Sequence, residues 1–120
     1  MLALTSHHKI FLAIKPVDFR KGLDGLIALC QQVLSQDPFS GYWFVFRNRK
    51  KTSVKIIVYD GVGYWLILRR FSKGKLSFWP VNERVSVSLS ATELQILLNQ
   101  GKPNDVTFEE PFALLNESSG

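Results

Sequence analysis

The sequence has very few of the residues and segments that mark secreted, metal-binding or membrane proteins. Its single cysteine, Cys30, has no partner for an internal disulfide, and its two histidines, His7 and His8, are too distant for a zinc-binding spacing. No uninterrupted apolar run is long enough to span a membrane, and the first residues lack the pattern of a secretory signal. We therefore expect a cytoplasmic protein that uses no metal ion or other cofactor.

The distribution of charge divides the chain into two parts. Residues 1–101 contain 14 Lys and Arg against 6 Asp and Glu, a net charge of +8, whereas residues 102–120 contain one lysine against four acids, a net charge of −3. The 120 residues, 46% of them hydrophobic, are enough for one sizeable core but not for two ordinary domains. We therefore predict one domain over residues 1–101 and an acidic C-terminal tail over residues 102–120. A basic body suits a polyanionic partner, although many bacterial proteins are mildly basic without one.

The first half of the chain predicts a strand, a helix and a second strand. The apolar run 9–15 is typical of a buried strand. Apolar residues recur at helical spacing from Phe19 to Leu34 and predict a helix, with Asp18 as its N-terminal cap. The aromatic and β-branched run 42–46 follows a turn and is typical of a strand.

The second half predicts a series of strands and then a helix. Apolar runs at 54–59 and 64–71, followed by 76–79, are separated by turn residues, so we expect an antiparallel meander covered on both faces over much of its area. Alternation from Val85 to Leu89 predicts a further short strand. The sequence then predicts a helix from about residue 91 to residue 100, because it begins with a capping box formed by Ser90 and Glu93. These elements predict a single α+β domain: a mostly antiparallel meander sheet with an N-terminal strand, a helix after it, and a second helix near the C-terminus.

The acids of the body raise the question of a two-metal nuclease, because phosphoryl transfer uses carboxylates that hold paired ions. They are Asp18, Asp24, Asp37, Asp60, Glu83 and Glu93. Capping explains Asp18 and Glu93, and turns explain Asp37 and Asp60. We therefore predict no catalytic residues and no enzymatic activity, and keep a metal-dependent nuclease only as a third alternative.

The basic side chains are the main functional candidates. The residues predicted to bind nucleic acid are Arg47, Arg49, Lys50, Lys51, Lys55, Arg69, Arg70, Lys73 and Lys75. The run 47–51 lies between two predicted strands, where a loop could present several cations to phosphates; a solvated hairpin tip is the alternative.

Two smaller groups carry their own hypotheses. Arg20 and Lys21 form a second candidate, an anion or partner site, or else a structural pairing with Asp24. The three tryptophans could stack on exposed bases, although strand aromatics are more often buried.

Several separate motifs in register resemble the second-open-reading-frame accessory proteins of insertion sequence family sixty-six, often called TnpB-type. The resemblance covers roughly residues 9–101. It is carried by 18–26 (DFRKGLDGL), 37–41 (DPFSG), 44–49 (FVFRNR), Lys55, Asp60-Gly61, Gly63, Arg70 and 78–80 (FWP). The tail after Gly101 differs from the shorter basic endings of that family.

The resemblance implies a role in transposition beside a separate transposase. The functional hypothesis is thus a non-catalytic accessory protein that contacts DNA, at element ends or non-specifically, through its basic surface. The alternative is a protein–protein adaptor without direct DNA binding. No membrane partner is expected.

Overall fold

A five-stranded sheet forms the centre of the protein in a computed structural model that describes residues 2–99 and the backbone of residues 113–114. In chain order the elements are β1 (Ile10–Ala13), α1 (Leu23–Gln32), β2 (Trp43–Arg47), β3 (Ser53–Tyr59), β4 (Tyr64–Arg70), β5 (Pro80–Val81), β6 (Ser86–Leu89), α2 (Ala91–Leu98) and β7 (Ala113–Leu114). The predicted α+β class, with a helix after the first strand and another near the C-terminus, is confirmed.

The strand order in the sheet is β4-β3-β2-β1-β6. β2, β3 and β4 form an antiparallel meander, in which the predicted strands at 54–59 and 64–71 are joined by β2 rather than by the predicted strand at 76–79. β1 instead pairs in parallel with β2, so α1 is the crossover between them, and β6 closes the other side of β1 antiparallel to it. β5 and β7 form a separate two-stranded sheet. The two neighbours of β1 therefore come from distant parts of the sequence.

The central strands bury side chains on both faces because a layer covers each face. On one face, Trp43 and Val45 of β2 pack in a cluster with residues of α2 and with Leu76 and Trp79. On the other face, Phe44 and Phe46 pack in a cluster with residues of α1. The expected cover on both faces is confirmed for β2 and β3.

β4 lies outside the area that is covered on both faces. Leu66 and Leu68 are 42% and 57% exposed on the face that carries α1, and Trp65 is 41% exposed on the opposite face. The ten-residue α1 packs over β1, β2 and β3 and does not cover the outer edge of the sheet, where β4 lies.

The first helix begins later than the sequence predicts. Its N-cap is Gly22, which offers no side-chain cap, and the proposed cap Asp18 lies four residues earlier. Asp18 Oδ1 instead accepts a hydrogen bond from the backbone N–H of Arg20 at 2.9 Å, and its carbonyl accepts one from the N–H of Lys21. Asp18 thus stabilises a turn before the helix rather than the helix itself.

The segment 76–79 is not the strand that its apolar run predicts. Leu76, Phe78 and Trp79 are buried in an irregular segment, and the following strand β5 has only two residues. The indole N–H of Trp79 donates to the carbonyl of Ala13 at 3.0 Å. A buried indole needs such a partner, and this bond fixes the segment against the end of β1.

The second helix starts as predicted. The backbone N–H of Glu93 donates to Ser90 Oγ at 3.1 Å, and the N–H of Ser90 donates to Glu93 Oε1 at 2.7 Å. This capping box begins α2, and the Asn99 amide donates to the carbonyl of Gln95 where the helix ends. Neither helix of the described residues is long and apolar enough to cross a membrane.

Candidate nucleic-acid interface

Basic side chains from three separate segments lie at one end of the sheet. β1, β2 and β4 end there, and β3 begins there, because β1 runs parallel to β2 and the meander is antiparallel. We call this region the basic end: the segment 15–21 after β1, the turn 48–52 between β2 and β3, and Arg70 with the loop 72–75 after β4. Folding therefore joins cations that are far apart in the sequence.

The turn 48–52 is held in shape by one side chain, that of Asn48. Its Oδ1 accepts hydrogen bonds from the backbone N–H groups of Thr52 (2.9 Å) and Ser53 (3.1 Å), and its Nδ2 donates to Thr52 Oγ1 (2.8 Å). Asparagine is well suited to such turns because its amide can bond to nearby backbone groups. The tip of the hairpin is thus ordered before any ligand binds.

The cations at this tip are presented to solvent. Arg49 and Lys50 are exposed, and Lys51 is half-buried in the left-handed backbone region at φ 62°. An open groove lies between this tip and the segment after β1. It is lined by Val17, Asp18, Phe19, Arg20, Asn48, Arg49 and Lys50.

Arg47 differs from its neighbours because its side chain points inward. It continues the alternation of Trp43 and Val45 and is only 8% exposed. Its guanidinium lies over the Trp79 ring at 5.9 Å, and its Nη1 donates to the carbonyl of Asn48 at 3.2 Å. Burial lowers the pKa of this guanidinium from its usual value, with repulsion from Arg49 as the lesser cause. The Arg47 guanidinium therefore packs against Trp79 inside the protein and is not presented to solvent.

The segment after β1 runs beside the turn and carries an exposed ion pair. The backbone N–H of Val17 donates to the carbonyl of Arg47 at 3.0 Å, which holds the segment against the end of β2. Arg20 binds the carboxylate of Asp18 through Nε and Nη2, at 2.7 Å for the shortest contact. These hydrogen bonds lower the pKa of Asp18 to about 2. The predicted partner Asp24 is not in this pair, and Lys21 is exposed beside it.

Lys55 holds the same segment in place from β3. Its Nζ donates to the carbonyl oxygens of Phe19 (2.9 Å) and Lys21 (3.0 Å) and lies 4.9 Å from the centre of the Phe19 ring. Two carbonyls and a ring face thus occupy the ammonium group. Lys55 positions the basic end rather than presenting its own charge to solvent.

The loop after β4 returns to the hairpin tip. The backbone N–H of Leu76 donates to the carbonyl of Lys51 at 2.7 Å, so the loop 72–75 lies beside the turn 48–52. Lys73 and Lys75 are exposed on this loop, and the exposed Arg70 is the register partner of Ser53 in β3.

Arg69 lies on the other face of β4 from Arg70. Its Nε donates to the carbonyl of Leu98 at 2.7 Å, and its guanidinium lies 5.8 Å from the Phe71 ring. A cation at this position stabilises the C-terminal end of α2, because the helix dipole is negative there. Arg69 therefore has a structural role within its own chain.

The opposite end of the sheet has a different character. Asp60 lies in the turn between β3 and β4, where its carboxylate accepts hydrogen bonds from the N–H groups of Val62 and Gly63 and from the Trp65 indole. Trp65 is half-exposed at this end, away from the basic end, while Trp43 and Trp79 are buried. No tryptophan therefore joins the exposed cations of the basic end.

Comparison with known proteins decides the family. The model of the family described as IS66 Orf2-like protein matches residues 8–106. The chain belongs to the IS66 Orf2-like family. This membership confirms the resemblance inferred from the motifs and associates the protein with an insertion-sequence system as an accessory protein.

Two relatives of this IS66 Orf2-like chain come from Sinorhizobium fredii (strain NBRC 101917 / NGR234). The uncharacterized protein y4jC is 37% identical over 90 residues, which cover 75% of this chain and 76% of the relative. The uncharacterized protein y4hO is 32% identical over 99 residues, which cover 82% of this chain and 85% of the relative. No solved structure matches the chain.

Two residues of the basic end were missed by the sequence reasoning. Asn48 organises the hairpin tip, and its position between two strands is a turn signal that could have revealed it. Lys15 is exposed directly after β1 at the basic end, but only the parallel pairing of β1 with β2 brings it there.

Proposed function

We propose that this protein is a non-catalytic accessory factor of insertion-sequence transposition that binds DNA through its basic end and assists a separate transposase. One observation carries the proposal: three segments separated in sequence bring exposed cations to the same end of the sheet. The exposed cations are Lys15, Arg20, Lys21, Arg49, Lys50, Arg70, Lys73 and Lys75, and the half-buried Lys51 lies among them. Arg47, Lys55 and Arg69 support this surface from beneath or beside it.

The chemistry of the surface favours contact with the phosphate backbone. Lysine and arginine neutralise phosphates and release counterions whatever the base sequence, and an ordered tip loses little conformational freedom on binding. Base stacking has less support, since the one half-exposed tryptophan, Trp65, lies at the other end of the sheet. We therefore expect binding that depends strongly on salt and weakly on sequence.

The roles of the acids support a non-catalytic function. Asp18 pairs with Arg20, Asp60 holds the turn before β4, and the backbone N–H of Phe39 donates to Asp37. Glu93 is buried in the capping box of α2. Each of these four carboxylates has a local structural partner, and among residues 2–99 no group of three or more potential metal ligands occurs.

Fluorescence anisotropy with duplexes from the element ends and from unrelated sequence tests the proposal. A variant in which Arg49, Lys50 and Lys51 are replaced by Gln should lower the slope of log K against log salt by up to about 2.7, or about 0.9 per lost contact. Lys9→Gln is the matched control, because Lys9 is an exposed cation at the other end of the sheet. An unchanged slope in the triple variant would reject the basic end as the DNA contact.

The adaptor alternative gives a different result in the same experiment. A protein adaptor would capture the transposase of the same element in a pulldown, show no salt-dependent DNA binding, and keep its capture in the triple Gln variant. A nuclease assay with added divalent metal addresses the third alternative directly.

A further inference from the structure

The outer strand β4 is an edge without the usual protection. It ends the five-stranded sheet, and none of the described residues pairs with its outer side. Edge strands are commonly blocked by proline, bulges, inward charges or short length. β4 has seven residues (YWLILRR), no proline, and a continuous register with β3. Its Leu66 and Leu68 are exposed, so both hydrogen-bonding groups and apolar side chains are available to a partner.

The hydrogen-bonding groups on this edge follow from the pairing with β3. The N–H of Phe71 donates to Thr52, and the carbonyl of Gly63 accepts from Asp60, so these two odd-numbered residues face β3. Successive residues of an antiparallel strand direct their backbone groups to opposite sides. The outward groups therefore belong to the even-numbered residues Tyr64, Leu66, Leu68 and Arg70.

We propose that β4 pairs antiparallel with β4 of a second copy of this chain, with the two-fold axis at Ile67. The four outward residues then bond only to one another: Tyr64 opposite Arg70, and Leu66 opposite Leu68. Ile67 faces its own counterpart, and Trp65 faces Arg69. All seven residues take part, along roughly 24 Å at about 3.4 Å per residue. The two sheets become one continuous sheet.

The strand sequence is self-complementary in this register. The two leucine pairs form an apolar cluster on the face that carries α1, which covers side chains otherwise left in solvent. Each aromatic residue at the start of one strand meets an arginine at the end of the other, a favourable cation–aromatic arrangement. A closed two-fold interface uses the same patch on both copies, as this pairing does.

Neighbouring registers lose this complementarity. Moving the axis to Leu66 places Arg70 opposite Val62, which lies in the turn, and Trp65 opposite Ile67. Moving it to Leu68 places Arg69 opposite Ile67 and brings the two Arg69 residues to roughly 7–8 Å, so like charges approach. The acidic tail is a less suitable occupant, because its strand β7 pairs with β5.

The pairing engages Arg70 of each copy but leaves the other cations of both basic ends free. Since the strands are antiparallel, the basic ends point to opposite ends of the joint sheet. A dimer therefore presents two separate DNA-binding surfaces; this consequence rests on the proposed function, whereas the pairing itself does not.

Sedimentation velocity of the full chain over a concentration series tests the dimer without any DNA. We expect a monomer–dimer equilibrium in the wild type. The double variant Leu66→Lys, Leu68→Lys should weaken dimerisation by about 100-fold or more, because each lysine faces a lysine of the other copy. Val62→Lys is the control, since Val62 is 95% exposed in the adjacent turn and outside the proposed ladder. A wild-type monomer at every concentration, or a dimer unaffected by the double variant, would overturn the proposal.

Disulfide trapping tests the register. Ile67→Cys should form a linked homodimer, because its two Cα atoms lie about 4.5 Å apart at a non-hydrogen-bonded position, within the range for a disulfide. Leu66→Cys and Leu68→Cys should each fail alone, at roughly 9 Å, but should link when the two variants are mixed. The mixture keeps the test valid if Ile67→Cys is unstable, since Leu66 and Leu68 are exposed. Native Cys30 is fully buried, and this burial raises its pKa to about 12, so it does not compete. Linkage of Leu66→Cys alone would show that the register is wrong.

Discussion

Arg47 and Arg49 stand on either side of Asn48, yet the structure gives them opposite environments. Arg47 is buried over Trp79, and Arg49 is exposed at the hairpin tip. Replacing each by methionine keeps an apolar stem of similar length and removes one positive charge. We expect the two variants to fail in different assays: Arg47→Met in stability and Arg49→Met in DNA binding.

The cost of Arg47→Met follows from its contacts. The change removes a hydrogen bond from Nη1 to the Asn48 carbonyl and the cation–aromatic contact with Trp79, which together contribute a few kcal/mol. It also relieves the cost of burying a guanidinium, which opposes part of this loss. We expect a net destabilisation of about 1–2 kcal/mol, equivalent to a fall in Tm of roughly 4–16 °C.

Arg49→Met should leave stability within about 0.5 kcal/mol, as for other exposed sites. Loss of one phosphate contact should lower the salt slope by about 0.9, which is about an eightfold weaker affinity in 0.1 M salt relative to a 1 M reference.

Thermal melts and anisotropy titrations on the same preparations measure both effects. The Arg47→Met protein, titrated where it is fully folded, should keep the wild-type slope. If Arg47→Met instead loses slope and melts normally, Arg47 contacts phosphate, and the inward role assigned to it is wrong.

Three further outcomes can be checked independently. Ser90→Ala removes the capping oxygen of α2 and should cost roughly 0.5–2 kcal/mol by urea denaturation, with DNA affinity of the folded protein nearly intact; selective loss of binding with a normal melt would contradict this. Asp18 should titrate near pH 2 by NMR, because Arg20 depresses its pKa from 3.8 to about 2. The stability from this pair is therefore fully present above pH 3.8 and is lost as pH falls through about 2; Arg20→Ala should move the midpoint back towards 3.8, and an unmoved midpoint would refute the pairing. If the tail competes with DNA for the basic body, deletion of residues 104–120 should raise DNA affinity at low salt without abolishing the cooperative melt. Unchanged DNA affinity with weaker transposase capture would instead show that the tail binds a partner. Loss of the cooperative melt would show that the tail completes the core.

Local signals in the sequence predicted most of the elements. Ser90 and Glu93 identified the start of α2 because a capping box is satisfied within four residues. A continuous apolar run identified β3, and alternation from Val85 to Leu89 identified β6, for the same local reason. The proposed cap Asp18 misled because an aspartate can equally stabilise a turn, and Gly22 allowed the helix to begin later.

Properties that depend on distant parts of the chain were not predictable in this way. The exposure of Leu66 and Leu68 depends on how many strands α1 covers. The parallel pairing of β1 with β2 depends on the crossover through α1. The proposed binding surface contains residues whose position local sequence signals could predict and others whose position depends on the fold. Alternation along β2 would have placed Arg47 beside Val45 on a buried face, whereas the approach of the loop 72–75 to Lys51 required the fold.

The position of β1 between β2 and β6 also sets an order for folding during synthesis. β1 is made early, but Leu12 finds its partner Val87 only after most of the domain has left the ribosome. Contacts over such a sequence separation pay a large loop-closure entropy and form late. A chain released before Leu89 would keep one side of β1 unpaired and would lack α2. Truncated translation products of this protein should consequently be substrates for chaperones and proteases rather than partially active fragments.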